Sequence, residues 1–144
     1  MTEAGPAQDN AFWEPADDPT IHDQDKLWRR IHEEWLIIDN NTGRVRLKSQ
    51  AFQNPKDGRP MSVLLADVHR DIGAIIECYP RHGLVSITAE LARELGQRVS
   101  RDPTREDLAH AHVSGKKTLG DRRKFAKKAK WVIPLPIKFI PSHK

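Results

Sequence analysis

Residues 108–134, LAHAHVSGKKTLGDRRKFAKKAKWVIP, constrain the fold more than any other part of the chain. Residues 109–113 alternate in polarity, the period of a half-buried strand. A Ser-Gly turn and two lysines follow. Thr118 is then a good N-cap, with Asp121 three residues on in a box-like arrangement near the positive end of the helix dipole. The helix runs to about Lys130, and residues 131–133 resume an apolar segment before Pro134. Its stripe, Leu119, Phe125, Ala126 and Ala129, is thin, so one narrow face packs and the rest stays wet. This succession predicts an α+β domain: a small mixed or antiparallel sheet with two to three helices, preceded by a disordered acidic N-terminal tail.

The rest of the chain supplies the other elements. Residues 84–87 read as a strand leading to Thr88, which caps a helix carrying Leu91 and Leu95, with Gly96 at C′. Residues 27–31 read as a strand, 33–38 as a short helix, 39–43 as an Asn/Asp/Gly turn and 44–48 as an alternating strand. Ser62 opens a helix with Leu65, Val68, Ile72, Ile75 and Ile76 on one stripe, although residues 61–65 alone also pass as a buried strand. Residues 97–101 are extended, and Asp102-Pro103-Thr104 turns the chain. A single compact domain is therefore expected at 26–134, between a disordered acidic tail at 1–25 and a Pro-rich tail at 135–144.

Charge sorts by position. The net charge of +4 conceals seven acids and no Lys or Arg in residues 1–25, against ten Lys or Arg and only Asp121 in residues 116–144. A cationic C-terminal surface points to an anionic partner, a nucleic acid or a phosphorylated ligand, with the acidic tail as a competitor for it. Phe12-Trp13, two large aromatics in a polar setting, offers an anchor for docking on the domain itself or on a protein partner. With Cys78 as the single cysteine there is no intrachain disulfide, and a reducing cytoplasm is the expected compartment. No apolar run approaches the roughly 18–20 residues that span a bilayer, so no membrane association is expected, and no secretory signal is recognised.

Gly115, Lys116, Lys117 and Thr118 combine a glycine, two ammonium groups and a helix N-terminus, a setting for one phosphate or carboxylate. It is not a complete phosphate-binding loop, since His110 stands where that motif needs its first glycine and Lys117 where it needs Ser or Thr. Arg122, Arg123 and Lys127 extend the cationic surface along the helix, and Trp131 can stack on a base. His110 and His112 share one strand face, as acid/base candidates or hydrogen-bonded structural groups. A metal would need further ligands from His32, His69, His82 or an acid brought close by the fold, so neither a metal nor another cofactor is expected. His112-Val113-Ser114 is half of a phosphoesterase-like pair. Arg30 and His32, sharing a face of the first strand, form with Ser49 and Ser62 a candidate pocket like that of an ADP-ribosyl-transfer enzyme.

The pattern LWRRIHEEWLI, SQAF, DGRPMSV, TAELARELGQ, AHAHVSGKKT and RRKFAKKAKWV, over residues 27–134, resembles a group of small uncharacterised bacterial proteins. That resemblance implies a compact bacterial domain acting with an operon partner, and no activity. The leading expectation is an accessory domain that recognises an anionic ligand through its basic C-terminal region. The alternatives are an enzyme acting on a phosphate- or nucleotide-containing substrate, and an adaptor for a protein partner.

Overall fold

The structure, a computed structural model, describes residues 15–68, 75 and 81–135. Within them the chain forms β1 (Lys26–His32), a 3-10 turn (Glu33–Trp35), β2 (Leu36–Ile38), β3 (Val45–Leu47), a second 3-10 turn (Ser49–Phe52) and β4 (Met61–Leu65). β5 (His82–Thr88), α1 (Ala89–Glu94), β6 (Arg98–Arg101), β7 (His110–Ser114), α2 (Leu119–Lys128) and β8 (Lys130–Ile133) complete it. Six strands make one antiparallel sheet in the order β6-β7-β4-β1-β5-β8, and β2 and β3 form a separate hairpin. The α+β expectation holds, with the sheet antiparallel.

Alternation along the strands separates two sides. Leu27, Ile31, Met61, Val63, Val85, Ile87, Ala111 and Val113 join the main core with Phe52 and Phe125, whose rings stack 5.6 Å apart. Trp28, Leu64 and Leu84 point the other way, into a smaller cluster with Ile75 and Ala109. The side of the sheet bearing α2 is thus apolar, and the opposite side mixes a few apolar groups with Arg30, Ser62, Ser100, His110 and His112. Arg29 ties the first side together: its guanidinium donates to the carbonyls of Ala51 (3.0 Å) and Ser62 (2.8 Å) and lies over the Trp35 ring. Burial, with Arg30 adjacent, lowers it to about 10, so it stays charged at neutral pH.

The caps form as expected. The Thr88 side chain accepts from Leu91 N at the start of α1, and Gly96 sits just past its end at φ 79°, the left-handed region that glycine enters without a Cβ clash. Thr118 and Asp121 make a reciprocal capping box on α2. β8 is an edge strand and stops just before Pro134.

Four expectations change. Residues 33–38 are a 3-10 turn followed by strand β2, because Leu36 is needed in the core opposite Leu47. No helix starts at Ser62: β4 lies between β7 and β1 with four of its five residues buried, so its sequence does not alternate. Ile75 is helical and buried, while residues 69–74 and 76–80, Cys78 among them, lie outside the described residues. Leu119, expected on the packed stripe of α2, is exposed.

The fourth concerns the tail. Residues 15–25 lie on the fold, with Ile21 in the main core. Arg93 of α1 donates to the carboxylates of Asp17 (3.1 Å) and Asp23 (2.7 Å) and to the carbonyls of Asp18 and Ile21. Asp17 accepts from Val99 N, and Asp18 pairs with Arg101. Each of these acids has a partner in the domain, and none of those partners is a C-terminal cation. At the other end Leu135 is buried. Phe12-Trp13 and residues 136–144 lie outside the described residues.

Candidate functional site

Stacking of Phe125 on Phe52 seats α2 against residues 49–52 and sets its exposed residues Arg123 and Lys127 beside the β2–β3 hairpin. The hairpin contributes Arg46, and the chain leaving it contributes Lys48, Ser49 and Gln50. Trp131 closes the end, because β8 pairs with β5 at Val85↔Trp131 and the neighbouring Gly83 has no side chain. A Cβ there would stand 2.7 Å from the Trp131 ring. The result is a groove of about 690 Å³, lined by apolar Ile37, Val45, Leu47, Ala126 and Ala129 and by four cations, with Trp131 still 39% exposed. Arg46 has a carboxylate neighbour, Asp39, at 3.6 Å.

On the far side of the sheet, His110 and His112 project from β7 with ring centres 5.0 Å apart. The β6–β7 hairpin brings Asp102, the residue after β6, to both: its Oδ2 lies 3.1 Å from His110 Nδ1 and 3.4 Å from His112 Nε2. The Asp102 carbonyl lies 3.0 Å from the same His110 nitrogen. His110 Nε2 is 3.2 Å from Ser62 Oγ on β4. Ser100 stands opposite His112 across the β6–β7 pair; its hydroxyl is buried and has no hydrogen-bond partner among the described residues. Partial burial holds the His112 imidazole below its ordinary pKa; the Asp102 carboxylate opposes that and His110 adds to it.

Arg30, Ser62 and His110 line one small pocket, so an arginine of the first strand does meet a histidine of β7. His32 goes elsewhere. It faces His82 across β1–β5, ring centres 5.0 Å apart, and its Nδ1 caps the 3-10 turn by accepting from Glu34 N. Ser49 lies in the groove on the other side of the sheet.

The turn at residues 115–118 is largely committed to the fold's own bonds. Lys117 Nζ donates to Asn54 Oδ1 (2.6 Å), Val113 O (2.9 Å) and Gly115 O (3.3 Å), and an ammonium has three protons to give. The Thr118 and Asp121 amides are taken by the capping box. The Gly115 carbonyl also accepts from Asn54, and the Lys116 carbonyl accepts from Gln97, which leaves the exposed Lys116 side chain as the turn's outward cation. Arg122 reaches Gln53 rather than the groove.

His110, His112, Arg30, Ser62, Arg123, Lys127 and Trp131 are candidates from the sequence that lie at the two sites, His32 is a candidate that does not, and Asp102, Ser100, Arg46 and Lys48 are residues the sequence did not single out. The signal for Asp102 was its place at the end of a strand-turn-strand hairpin. Once β6 pairs with β7 at Arg101↔Ala111, the next pair out is Asp102 and His110. Arg46 and Lys48 read as wet positions on a strand, and only the packing of α2 beside β3 turns them toward a shared groove. No helix among the described residues is long and apolar enough to cross a membrane. No family model, curated protein or solved structure matches this chain.

Proposed function

We propose that the protein binds single-stranded nucleic acid in the groove between α2, the β2–β3 hairpin and β8. The observation that carries this reading is the exposed indole of Trp131 within one concave surface shared with Arg46, Lys48, Arg123 and Lys127. Single strands are held by cations that follow the phosphates and by aromatic faces on which bases stack. Neither requires base-edge readout, so binding is tolerant of sequence. A duplex buries its base faces in its own stack and offers Trp131 nothing to lie on.

The test compares a labelled single-stranded oligonucleotide with inorganic polyphosphate. Trp131→Ala removes the stacking platform and leaves the cations, so oligonucleotide affinity drops by about 1–3 kcal/mol, roughly 5- to 150-fold, while polyphosphate binding holds. Equal losses on both probes, or no loss on either, would show that the indole does not read bases.

A further inference from the structure

In the trio on the opposite side of the sheet, His110 Nδ1 hydrogen-bonds Asp102 at ordinary distances, whereas His112 Nε2 converges on the same carboxylate oxygen from beyond normal hydrogen-bond range. Charge-assisted N–H···O⁻ bonds settle at about 2.7–2.9 Å. Here the nitrogens of His110 and His112 stand 3.1 and 3.4 Å from the same oxygen of Asp102. The edge of a tetrahedron around a zinc ion with bonds of roughly 2.0–2.1 Å is about 3.4 Å. We propose that Asp102 Oδ2, His110 Nδ1 and His112 Nε2 bind a divalent transition-metal ion of the zinc class.

Two further features fit. A metal-bound imidazole almost always donates its second N–H to a fixed acceptor, which sets the tautomer that presents the other nitrogen. Ser62 Oγ, 3.2 Å from His110 Nε2, is placed to be that acceptor. Beside His112, the buried Ser100 hydroxyl has no partner among the described residues, an uncommon state for a buried polar group. It is available to the second nitrogen of His112 or to a water on the metal. The three ligand atoms already lie within 4.8 Å of one another, and coordination would draw them to about 3.4 Å. Two imidazoles and one carboxylate suit Zn²⁺, Co²⁺ or Ni²⁺ better than Ca²⁺ or Mg²⁺. Three protein ligands also leave a position for water or substrate, as catalytic rather than structural zinc sites do.

The experiment is titration of the full chain with Zn²⁺ alone by calorimetry and with Co²⁺ alone by visible absorption. One equivalent should bind, with a d–d band for Co²⁺ and a thermal midpoint raised by Zn²⁺. Asp102→Asn and His112→Gln should each abolish the band and the midpoint shift, and Ser62→Ala should weaken Zn²⁺ about 10- to 100-fold with stoichiometry unchanged. Asp102 is half exposed on a turn, so its variant carries the test even where His112→Gln folds poorly. The proposal is overturned by absence of one-equivalent binding, by binding that survives Asp102→Asn, or by binding lost with His82→Gln instead, which would put the ion at the His32–His82 pair.

Discussion

The salt dependence of oligonucleotide binding tests the groove most severely, because its size follows from a count of side chains. Four cations line the groove. If each neutralises one phosphate of a single strand, log K falls with log salt at about −0.7 per contact, a slope near −2.8. Raising salt from roughly 50 to 200 mM should then weaken binding about 50-fold. If Arg46 keeps its Asp39 neighbour, the count is three and the slope about −2.1, so the expected range is narrow. Replacing Arg123 and Lys127 together by alanine removes two contacts; the slope should fall to about −1.4 and the salt effect to about 7-fold. Lys124→Ala is the control, since Lys124 is exposed on the same helix but does not line the groove, and its slope should match the unmodified protein. Fluorescence anisotropy of an end-labelled oligonucleotide across a salt series measures all three. A double-variant slope equal to that of the unmodified chain would refute the groove as the binding surface, whatever the absolute affinity.

Other consequences are simpler to read. Gly83→Ala puts a Cβ 2.7 Å from the Trp131 ring and 2.9 Å from the Ile133 carbonyl, so β8 must shift; a loss of about 1–3 kcal/mol in denaturant unfolding, with faster amide exchange across β8, is expected. Arg93→Ala takes the donor away from Asp17, Asp23 and two carbonyls, and should cost about 2–3 kcal/mol while raising exchange at the Asp18 amide, which bonds to Val99. His82 is held below its ordinary pKa by burial first, then by His32, Arg30 and Arg29. The folded chain therefore takes up its proton at lower pH than the unfolded chain, and stability present above about pH 6.5 is lost as pH falls toward the folded value. His112 is lowered as well and shares that limb of a stability–pH profile, so His82→Gln should reduce its slope without abolishing it, and an unchanged slope would rule out His82 as a contributor.

Local chemistry was legible where a short residue pattern decides it. Thr88, Gly96, Thr118 and Asp121 each meet a requirement of a helix end that no tertiary contact overrides, and both helices begin where those caps place them. β4 was ambiguous for a physical reason. A central strand covered on both sides loses the period of two, and Leu65 with Val68 then mimics a helical stripe. Residues 15–25 were misread because composition counts charges without their partners. Arg93 is some seventy residues away in sequence, and nothing local shows that it will collect Asp17 and Asp23. The site residues divide the same way. Alternation along β7 was enough to put His110 and His112 on one face, whereas joining them to Asp102 and Ser62 required strand order and register.

That strand order also fixes how the two sites relate. β7, which carries the histidines, and β8, which carries Trp131, are separated by β4, β1 and β5. Four steps of about 4.8 Å place them roughly 19 Å apart across the sheet, before the thickness between its two sides is added. Screening at physiological salt acts over about 8 Å, so a dication beside Asp102 adds little to the potential felt by a phosphate in the groove. Saturating Zn²⁺ should therefore leave the oligonucleotide salt slope unchanged, in the unmodified chain and in Asp102→Asn alike. An affinity that rose with Zn²⁺ only where Asp102 is intact would mean that one strand of nucleic acid crosses both sites, with a phosphate on the metal and bases at Trp131.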